Sequence, residues 1–276
     1  MTPKLYPVPS EGFFRKEDIG KKPVLDVRNL GIEFGGLKAL SDFSVMIGPT
    51  EITGLIGPNG AGKTTVFNLL MNVYKPTRGA ILLNGVSTQG KSTVELSKMG
   101  MARTFQNIRL FKELSVLDNV KIGLHNEIKC GTAQSLLRTP RYWRTERQAD
   151  ERALELLSIF NMQDAAMLKA GSLPYGSQRM LEIVRALATN PSILLLDEPA
   201  AGMNPSETHQ LLENIVHVRD TFQIAIFLIE HDMSLVMNVC DGIAVLNYGR
   251  IIAKGSPEDI KNNPAVIEAY LGKGAV

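Results

Sequence analysis

The residues whose types and spacing could do chemistry begin with a glycine-rich run that ends in a lysine and two threonines, at Gly57 to Thr65. The run fits the pattern G-x-x-x-x-G-K-[ST], between an apolar stretch at 52–56 that predicts a strand and residues 66–71 that predict a helix. Glycines let backbone N–H groups approach phosphate oxygens, and the helix offers its positive N-terminus. The pattern predicts a phosphate-binding loop, with Lys63 on the β- and γ-phosphates and Thr64 on Mg²⁺.

Polar side chains follow two further apolar runs. Asp197 and Glu198 come directly after residues 193–196, and His231 follows residues 224–229 closely. Ligands bind beyond the carboxyl ends of parallel strands, so a carboxylate there suits Mg²⁺ and a second one suits the attacking water. We assign Asp197 to the metal and Glu198 to the water. His231 stands where it could hydrogen-bond the γ-phosphate, although a lone histidine is more often structural.

Gln106 lies between the nucleotide-binding part and a mostly helical middle part at about 107–189. A glutamine at this junction can sense Mg²⁺ and the attacking water and couple them to a moving subdomain, but the residue alone is a weak signal. The middle part also carries a basic cluster between Arg138 and Arg152, together with Trp143. The usual behaviour of charge runs favours a solvated helix face over a contact with a membrane or a partner.

The elements needed to position these residues follow from the apolar pattern. Short alternating segments at 24–47 and 80–83 predict a small antiparallel sheet. Continuous apolar runs alternating with helices predict a parallel sheet covered on both faces, hence an α/β fold. Residues 1 to 22, rich in charge and proline, read as a flexible leader, and residues from about 256 to 276 as a helical tail.

Bulk composition is that of an ordinary globular chain: 276 residues, 44% hydrophobic and 21% charged, with a net charge of +2. This charge is too small to indicate nucleic-acid binding. The sequence has no uncharged apolar run near about 18 residues and no secretory signal at its N-terminus. Cys130 and Cys240 lack a ligand pattern, so we expect reduced thiols in a cytosolic compartment.

The order of these motifs resembles that of ATP-binding-cassette (ABC) ATPases, over essentially the whole chain from Val24 onward. A signature-like run, residues 173–178, stands between Gln106 and Asp197. The resemblance implies an α/β P-loop fold with a mixed sheet core, an antiparallel β subdomain and an inserted helical subdomain. It implies that Phe34 stacks on adenine, and that the signature of one cassette closes over the ATP held by the phosphate loop of another.

The site implied by the residues and the resemblance together falls into three groups, with residues 23–276 forming a single ATPase domain. The catalytic residues are Glu198, His231 and Gln106. The ATP-binding residues are Phe34, Gly57, Pro58, Asn59, Gly60, Ala61, Gly62, Lys63, Thr64, Thr65, Tyr175, Gly176 and Ser177. The Mg²⁺ ligands are Thr64, Gln106 and Asp197.

Finer matches are similar to one branch, the larger ATP-binding subunit of branched-chain amino acid importers. They are the runs at 34–40, 103–111, 136–140, 198–205, 228–233 and 262–272. This resemblance implies ATP hydrolysis that powers the import of leucine, isoleucine and valine. The implied partners are a second cassette, identical or different, two integral membrane permease subunits and, indirectly, a periplasmic or extracellular binding protein. The implied location is peripheral, on the cytoplasmic face of the membrane.

Three positions depart from the general family pattern. The signature has Pro174 where the family has serine and Tyr175 where it has glycine, and the run after Glu198 ends in Asn204 rather than aspartate. Proline removes a hydroxyl and an N–H that could meet the γ-phosphate across a dimer. We interpret these as features of the branch, and they put in doubt that two copies of this chain form two equally competent sites.

Three alternative functions remain open from the sequence. The cargo could be another small molecule such as urea or a short amide. The chain could be a non-transport ABC ATPase acting on nucleic acid or ribosomes, against which the single cassette and the weak charge both argue. It could be a P-loop switch protein with little turnover, against which Glu198 and the signature-like run argue.

Overall fold

The strands form two sheets in the computed structural model, which describes residues 13–126 and 140–271. In chain order the strands are β1 (Leu25–Phe34), β2 (Leu37–Ile47), β3 (Ile52–Ile56), β4 (Arg78–Leu83), β5 (Val86–Ser87), β6 (Met101–Arg103), β7 (Ile193–Asp197), β8 (Ala225–Ile229), β9 (Gly242–Asn247) and β10 (Arg250–Gly255). The α-helices are α1 (Lys63–Leu70), α2 (Thr93–Lys98), α3 (Val116–Gly123), α4 (Pro140–Ile159), α5 (Tyr175–Leu187), α6 (Pro205–Phe222), α7 (Met233–Val239), α8 (Pro257–Lys261) and α9 (Pro264–Leu271).

The larger sheet has six strands in the order β10-β9-β3-β8-β7-β6. Adjacent strands from β9 to β6 pair in parallel, whereas β10 pairs antiparallel with β9. Every residue of β3, β7 and β8 is buried, as expected for continuous apolar strands covered on both faces. Asp197 pairs in register with Ile229, so the carboxyl ends of β7 and β8 lie side by side.

The two faces of the larger sheet belong to two separate apolar clusters. Leu194 and Leu196 of β7 pack into a cluster with the helices that follow β6, whereas Ile193 and Leu195 pack with the smaller sheet and α1. Alternate side chains of a strand point to opposite faces, so one short strand serves both cores. This arrangement confirms the prediction of a parallel sheet covered on both sides.

The smaller sheet is antiparallel, in the order β2-β1-β4-β5, which confirms the sheet predicted from the alternating segments. The predicted Gly35-Gly36 turn joins β1 to β2, with φ values of +52° and +88° that glycine adopts without strain. The alternating pattern predicts two segments at the start of this sheet, residues 24–30 and 32–34. The structure instead has one strand, β1, whose register shifts near Gly31.

The described residues between β6 and β7 are mostly helical, as predicted, and include α3, α4 and α5. Its inner face includes Val120, Ala153, Leu157 and Val184, which are buried in one cluster. Lys121 of α3 forms ion pairs with Glu146 and Asp150 of α4, at 2.8 and 2.6 Å. The basic cluster lies on the first turns of α4, where Arg141, Arg144 and Arg147 are exposed; Arg138 lies outside the described residues.

Residues 13–22 pack against the larger sheet, a difference from the unstructured leader expected from the sequence. A short 3₁₀ helix, Lys16–Asp18, places the fully buried Asp18 where its carboxylate accepts hydrogen bonds from the backbone N–H and hydroxyl of Thr50. The backbone N–H of Phe14 donates to buried Glu51. The ring of Phe14 fills the space where a Cβ on Gly242 would be. Among the described residues, no helix is long and apolar enough to cross a membrane.

Candidate functional site

The glycine-rich loop joins β3 to α1 at the carboxyl end of the larger sheet. A Cβ at Gly57 would collide with the carbonyl oxygen of Leu246, and Gly62 caps α1 with a φ of +107° that favours glycine. The Ala61 N–H donates to the Pro58 carbonyl at 3.1 Å, which closes the loop on itself. Asn59, Gly60 and Thr64 are exposed, so the outer rim of the loop is open to a ligand.

The ammonium of Lys63 lies inside the loop. It donates to the carbonyl oxygens of Gly57 at 2.6 Å and Pro58 at 3.1 Å, and only 7% of the residue is exposed. Burial lowers the pKa of Lys63, while the carboxylates of Glu198 and Asp197 act in the opposite direction. A cation held in this way can meet the outer phosphates of a nucleotide without unfolding the loop.

Phe34, the residue expected to stack on adenine, ends β1 and is 44% exposed. Its ring lies edge-on to that of Tyr74, with centroids 5.3 Å apart and planes at 78°. Tyr74 is also exposed, at 38%. Two exposed aromatic rings in contact offer a stacking surface, and the sequence analysis missed the second of them.

Asp197 ends β7 in an environment that the sequence does not reveal. Its Oδ2 accepts a hydrogen bond at 2.7 Å from the guanidinium of Arg103, and both side chains are almost fully buried. Arg103 also donates to the side chain of Asn68 in α1. These contacts therefore tie β7 to β6 and α1.

Glu198 has a backbone φ of +46°, in the left-handed region that residues other than glycine rarely adopt. Its N–H donates to the Ile229 carbonyl at 2.9 Å, which holds this strained residue to the end of β8. The side-chain amide of Gln106 donates to Oε2 of Glu198 at 2.8 Å. The structure thus brings together two residues that the sequence places 92 positions apart.

His231 completes this group from the end of β8. Its Nδ1 lies 3.9 Å from Oε2 of Glu198 and 3.5 Å from Oε2 of Glu230, and its ring is largely exposed. Glu230 is fully buried and accepts from the backbone N–H groups of Ala200 and His231, and burial raises its pKa. Glu230 therefore fixes the backbone on both sides of Glu198, a role that the sequence analysis did not assign.

The signature-like residues lie apart from the phosphate loop of the same chain. In the ranges 13–126 and 140–271, no hydrogen bond joins residues 175–177 to residues 57–65. Tyr175 instead begins α5 and donates its hydroxyl to the Ala201 carbonyl at 2.9 Å. A Cβ at Gly176 would lie 3.3 Å from the carboxylate of Glu207. The start of α5 is thus held to the segment that follows Glu198 rather than to the phosphate loop.

The residues assigned to Mg²⁺ fit that ion. No group of three or more histidine, cysteine, aspartate or glutamate side chains within the described ranges could hold a metal by itself. Mg²⁺ commonly takes one or two protein carboxylates and completes its coordination with substrate phosphates and water. The Asp197 carboxylate, the exposed Thr64 hydroxyl and the Gln106 amide supply hard oxygens of that kind beside the phosphate loop.

Comparisons with known proteins agree with this geometry. The family model of the ABC transporter matches residues 40–201, and that of the branched-chain amino acid ATP-binding cassette transporter matches residues 250–276. The chain is 47% identical over 252 residues to the high-affinity branched-chain amino acid transport ATP-binding protein LivG of Escherichia coli, covering 91% of this chain and 99% of that protein. It is 45% identical over 252 residues to BraF of Pseudomonas aeruginosa, with the same coverage.

Solved structures give the same result for the fold. The ADP conformation of an ATP-binding cassette of an ABC transporter superimposes with a TM-score of 0.80 at 31% identity, covering 92% of this chain and all of that one. A nucleotide-free cassette from an ABC transporter gives 0.78 at 32% identity, covering 91% of this chain and all of that one. These matches confirm the predicted fold class, and the chain belongs to the family of ABC transporter ATP-binding cassettes.

Proposed function

We propose that this chain is the ATP-hydrolysing subunit that powers import of branched-chain amino acids through separate membrane subunits. The observation that carries the hydrolytic role is the hydrogen bond between Gln106 and Glu198, at the carboxyl end of the sheet that also holds Lys63. The cargo rests on the relatives, whose names state branched-chain amino acid transport, at 47% and 45% identity.

ATP binding uses three surfaces of the chain. The rings of Phe34 and Tyr74 receive the adenine, and the backbone N–H groups of residues 57–65 receive the phosphates. The ammonium of Lys63 neutralises charge on the β- and γ-phosphates. Thr64, Gln106 and Asp197 would hold Mg²⁺, which would supply positive charge to the phosphate oxygens.

Hydrolysis depends on the carboxylate of Glu198. It accepts a proton from the attacking water and orients that water in line with the γ-phosphorus, so that ADP and phosphate are the products. Gln106 donates to Oε2 of the carboxylate, and the His231 ring lies 3.9 Å from the same oxygen, from where it is proposed to hydrogen-bond the γ-phosphate. The strained backbone of Glu198 keeps this side chain at the strand end rather than in a flexible loop.

A second cassette completes the site. Tyr175 donates to the Ala201 carbonyl rather than to the phosphate loop, which supports a signature surface that meets a nucleotide held by another chain. ATP closes the pair because its γ-phosphate bridges both cassettes, and hydrolysis removes that bridge. The partner is either a second copy or a different cassette.

Membrane subunits would reach the site through a surface groove. A cavity of about 290 Å³ lies between the larger sheet and the helical segment, and its apolar lining includes Met71, Met101, Phe105 and Ile122. Phe105 immediately precedes Gln106, so a loop of a membrane subunit seated there touches the residue next to the catalytic group. This placement supports a peripheral location on the cytoplasmic face of a membrane.

The test is ATPase activity of the purified chain, alone and reconstituted in vesicles with a second cassette, its membrane subunits and the binding protein. We expect hydrolysis that rises when leucine, isoleucine or valine is present with the binding protein, and not with urea or acetamide. Stimulation by urea or acetamide, but not by the branched-chain amino acids, would show that the transported cargo is urea or a short amide instead. High activity of the free chain, indifferent to membrane subunits, would contradict the transport role.

A further inference from the structure

Arg179 is a fully buried cation that the proposed catalytic scheme does not use. It lies in α5, one turn after the signature residues, and none of its surface is exposed. Its Nη1 donates to the Phe105 carbonyl at 2.6 Å, and its Nη2 donates to the Gln106 carbonyl at 2.6 Å. The guanidinium thus grips the main chain of the segment that carries Gln106.

A second buried charge, the carboxylate of Glu182, holds the Arg179 guanidinium in place. Glu182, one turn further along α5, accepts from Nη1 of Arg179 at 3.0 Å and is 2% exposed. Its other carboxylate oxygen accepts from the backbone N–H of Arg109 at 3.2 Å. The ion pair therefore holds residues 105–109 at both ends, through three main-chain groups.

Arginine is the residue type that this arrangement needs. A planar guanidinium can donate to two carbonyl oxygens and a carboxylate at once, whereas a lysine ammonium offers a compact charge without the fork. The Nε of Arg179 has no hydrogen-bond partner in the described part of the chain. The guanidinium is thus oriented toward the two carbonyls although one of its own donors stays unpaired.

We propose that Arg179 is a positioning residue that couples the signature end of α5 to the contact between Gln106 and Glu198. The connection is short. Arg179 lies one helical turn after the signature residues, its guanidinium donates to the Gln106 carbonyl, and the Gln106 side chain donates to Glu198. This inference rests on the proposed ATPase function.

Two variants separate the coupling from a general loss of stability. Arg179→Met removes the grip, and Arg179→Met with Glu182→Met removes both charges, so that no buried carboxylate is left unpaired. Arg185→Met is the matched control for hydrogen exchange, because Arg185 is a partly buried cation of the same helix that lies over the Phe111 ring instead. Arg179→Lys tests whether charge alone suffices.

The first measurement is amide hydrogen exchange of the nucleotide-free protein. Segment 104–109 should exchange faster in both Arg179→Met proteins, partly recover in Arg179→Lys, and match the wild type in Arg185→Met. Because no turnover is involved, this result tests the grip even if the chain fails to hydrolyse ATP, which would contradict only the proposed function. Unchanged exchange in both Arg179→Met proteins would overturn the inference.

The second measurement is a double-mutant cycle in the assembled transporter. A misplaced catalytic group costs on the order of a hundredfold, so Arg179→Met should lower kcat by roughly tenfold to a hundredfold with little change in KM for ATP. In a Gln106→Ala background the same substitution should cause no further loss of kcat. Losses that multiply in the double variant, or a rise in KM instead, would show that Arg179 acts elsewhere.

Discussion

Single side chains set the charge of the phosphate loop. Lys63 is held by two carbonyl oxygens of the loop that it serves, and burial lowers its pKa while the nearby carboxylates oppose that shift. The ammonium is therefore positioned before a nucleotide arrives, and its interaction with phosphate needs little rearrangement. We therefore expect the loop to act as a preformed anion site rather than one that assembles around its ligand.

Replacing this ammonium should weaken nucleotide binding. Lys63→Met removes a charge-assisted contact worth about 1.5 to 3 kcal/mol, so ATP affinity should fall by on the order of tenfold to a hundredfold. Titration of a fluorescent ATP analogue measures the loss. Lys98→Met, on an exposed position of α2, is the matched control and should bind as the wild type does.

Glu198 should separate binding from turnover. Glu198→Gln keeps the shape of the side chain and an oxygen that can accept from Gln106, but it removes the carboxylate that takes the proton of water. ATP binding should persist while kcat falls by at least about a hundredfold. Phosphate release measures turnover, and Glu258→Gln on exposed α8 is the control. Normal hydrolysis by Glu198→Gln would show that Glu198 is not the base.

At the scale of secondary-structure elements, the start of α6 explains why asparagine can stand at position 204, where the family pattern has aspartate. Asn204, which replaces an aspartate, is the N-cap of α6: its side-chain oxygen accepts from the Glu207 N–H, and Glu207 accepts from the Asn204 N–H, each at 3.0 Å. Pro205 takes the first helical position. Asparagine and aspartate cap helices about equally well, so the cap survives the replacement.

The stability lost by a substitution at position 204 should therefore depend on whether the new side chain keeps an oxygen that accepts from the Glu207 N–H. Asn204→Ala removes the acceptor and should lower the free energy of unfolding by about 1 kcal/mol, whereas Asn204→Asp should be close to neutral. Chemical denaturation of the three proteins measures the difference. Equal losses for alanine and aspartate would show that the cap contributes nothing here.

The elements also show where sequence reasoning succeeds. The buried strands β3, β7 and β8 were predictable because each is a continuous apolar run that ends at a polar motif. β6 was missed because three residues are too few to show a period. The phosphate loop, Gln106 and Glu198 could be picked out as site residues from their residue types and from the order of the motifs. The Arg103–Asp197 pair could not, because its residues are 94 positions apart and no local sequence pattern indicates such a contact.

At the scale of the whole molecule, residues 13–22 close the edge of the sheet opposite the phosphate loop. There Glu51 is fully buried, accepts from Thr53 and from the Phe14 N–H, and lies near Asp241. Burial raises the pKa of Glu51 from 4.5 to about 7. Between these values the folded chain keeps a proton that the unfolded chain has released, so stability falls as pH rises through the window and levels off above it.

Glu51→Gln should remove this pH dependence. The amide can still accept from Phe14 and can donate to the Thr53 hydroxyl, but it carries no charge to bury. Its melting temperature should exceed that of the wild type near pH 8, and the difference should shrink toward zero as the pH falls below 4.5, where the wild-type carboxyl is protonated in both the folded and the unfolded chain. Differential scanning calorimetry at both pH values measures this. Glu213→Gln, an exposed position, should show no such trend.

The contact between Phe14 and Gly242 has a consequence for descent. The ring occupies the volume in which a Cβ at position 242 would lie, so the substitutions that one position accepts depend on the residue at the other. A larger residue at 242 requires that the ring of Phe14 move or be replaced, and a larger residue already present at 242 closes the volume that the ring fills here. The paths open to the chain's descendants therefore depend on which of the two changed first.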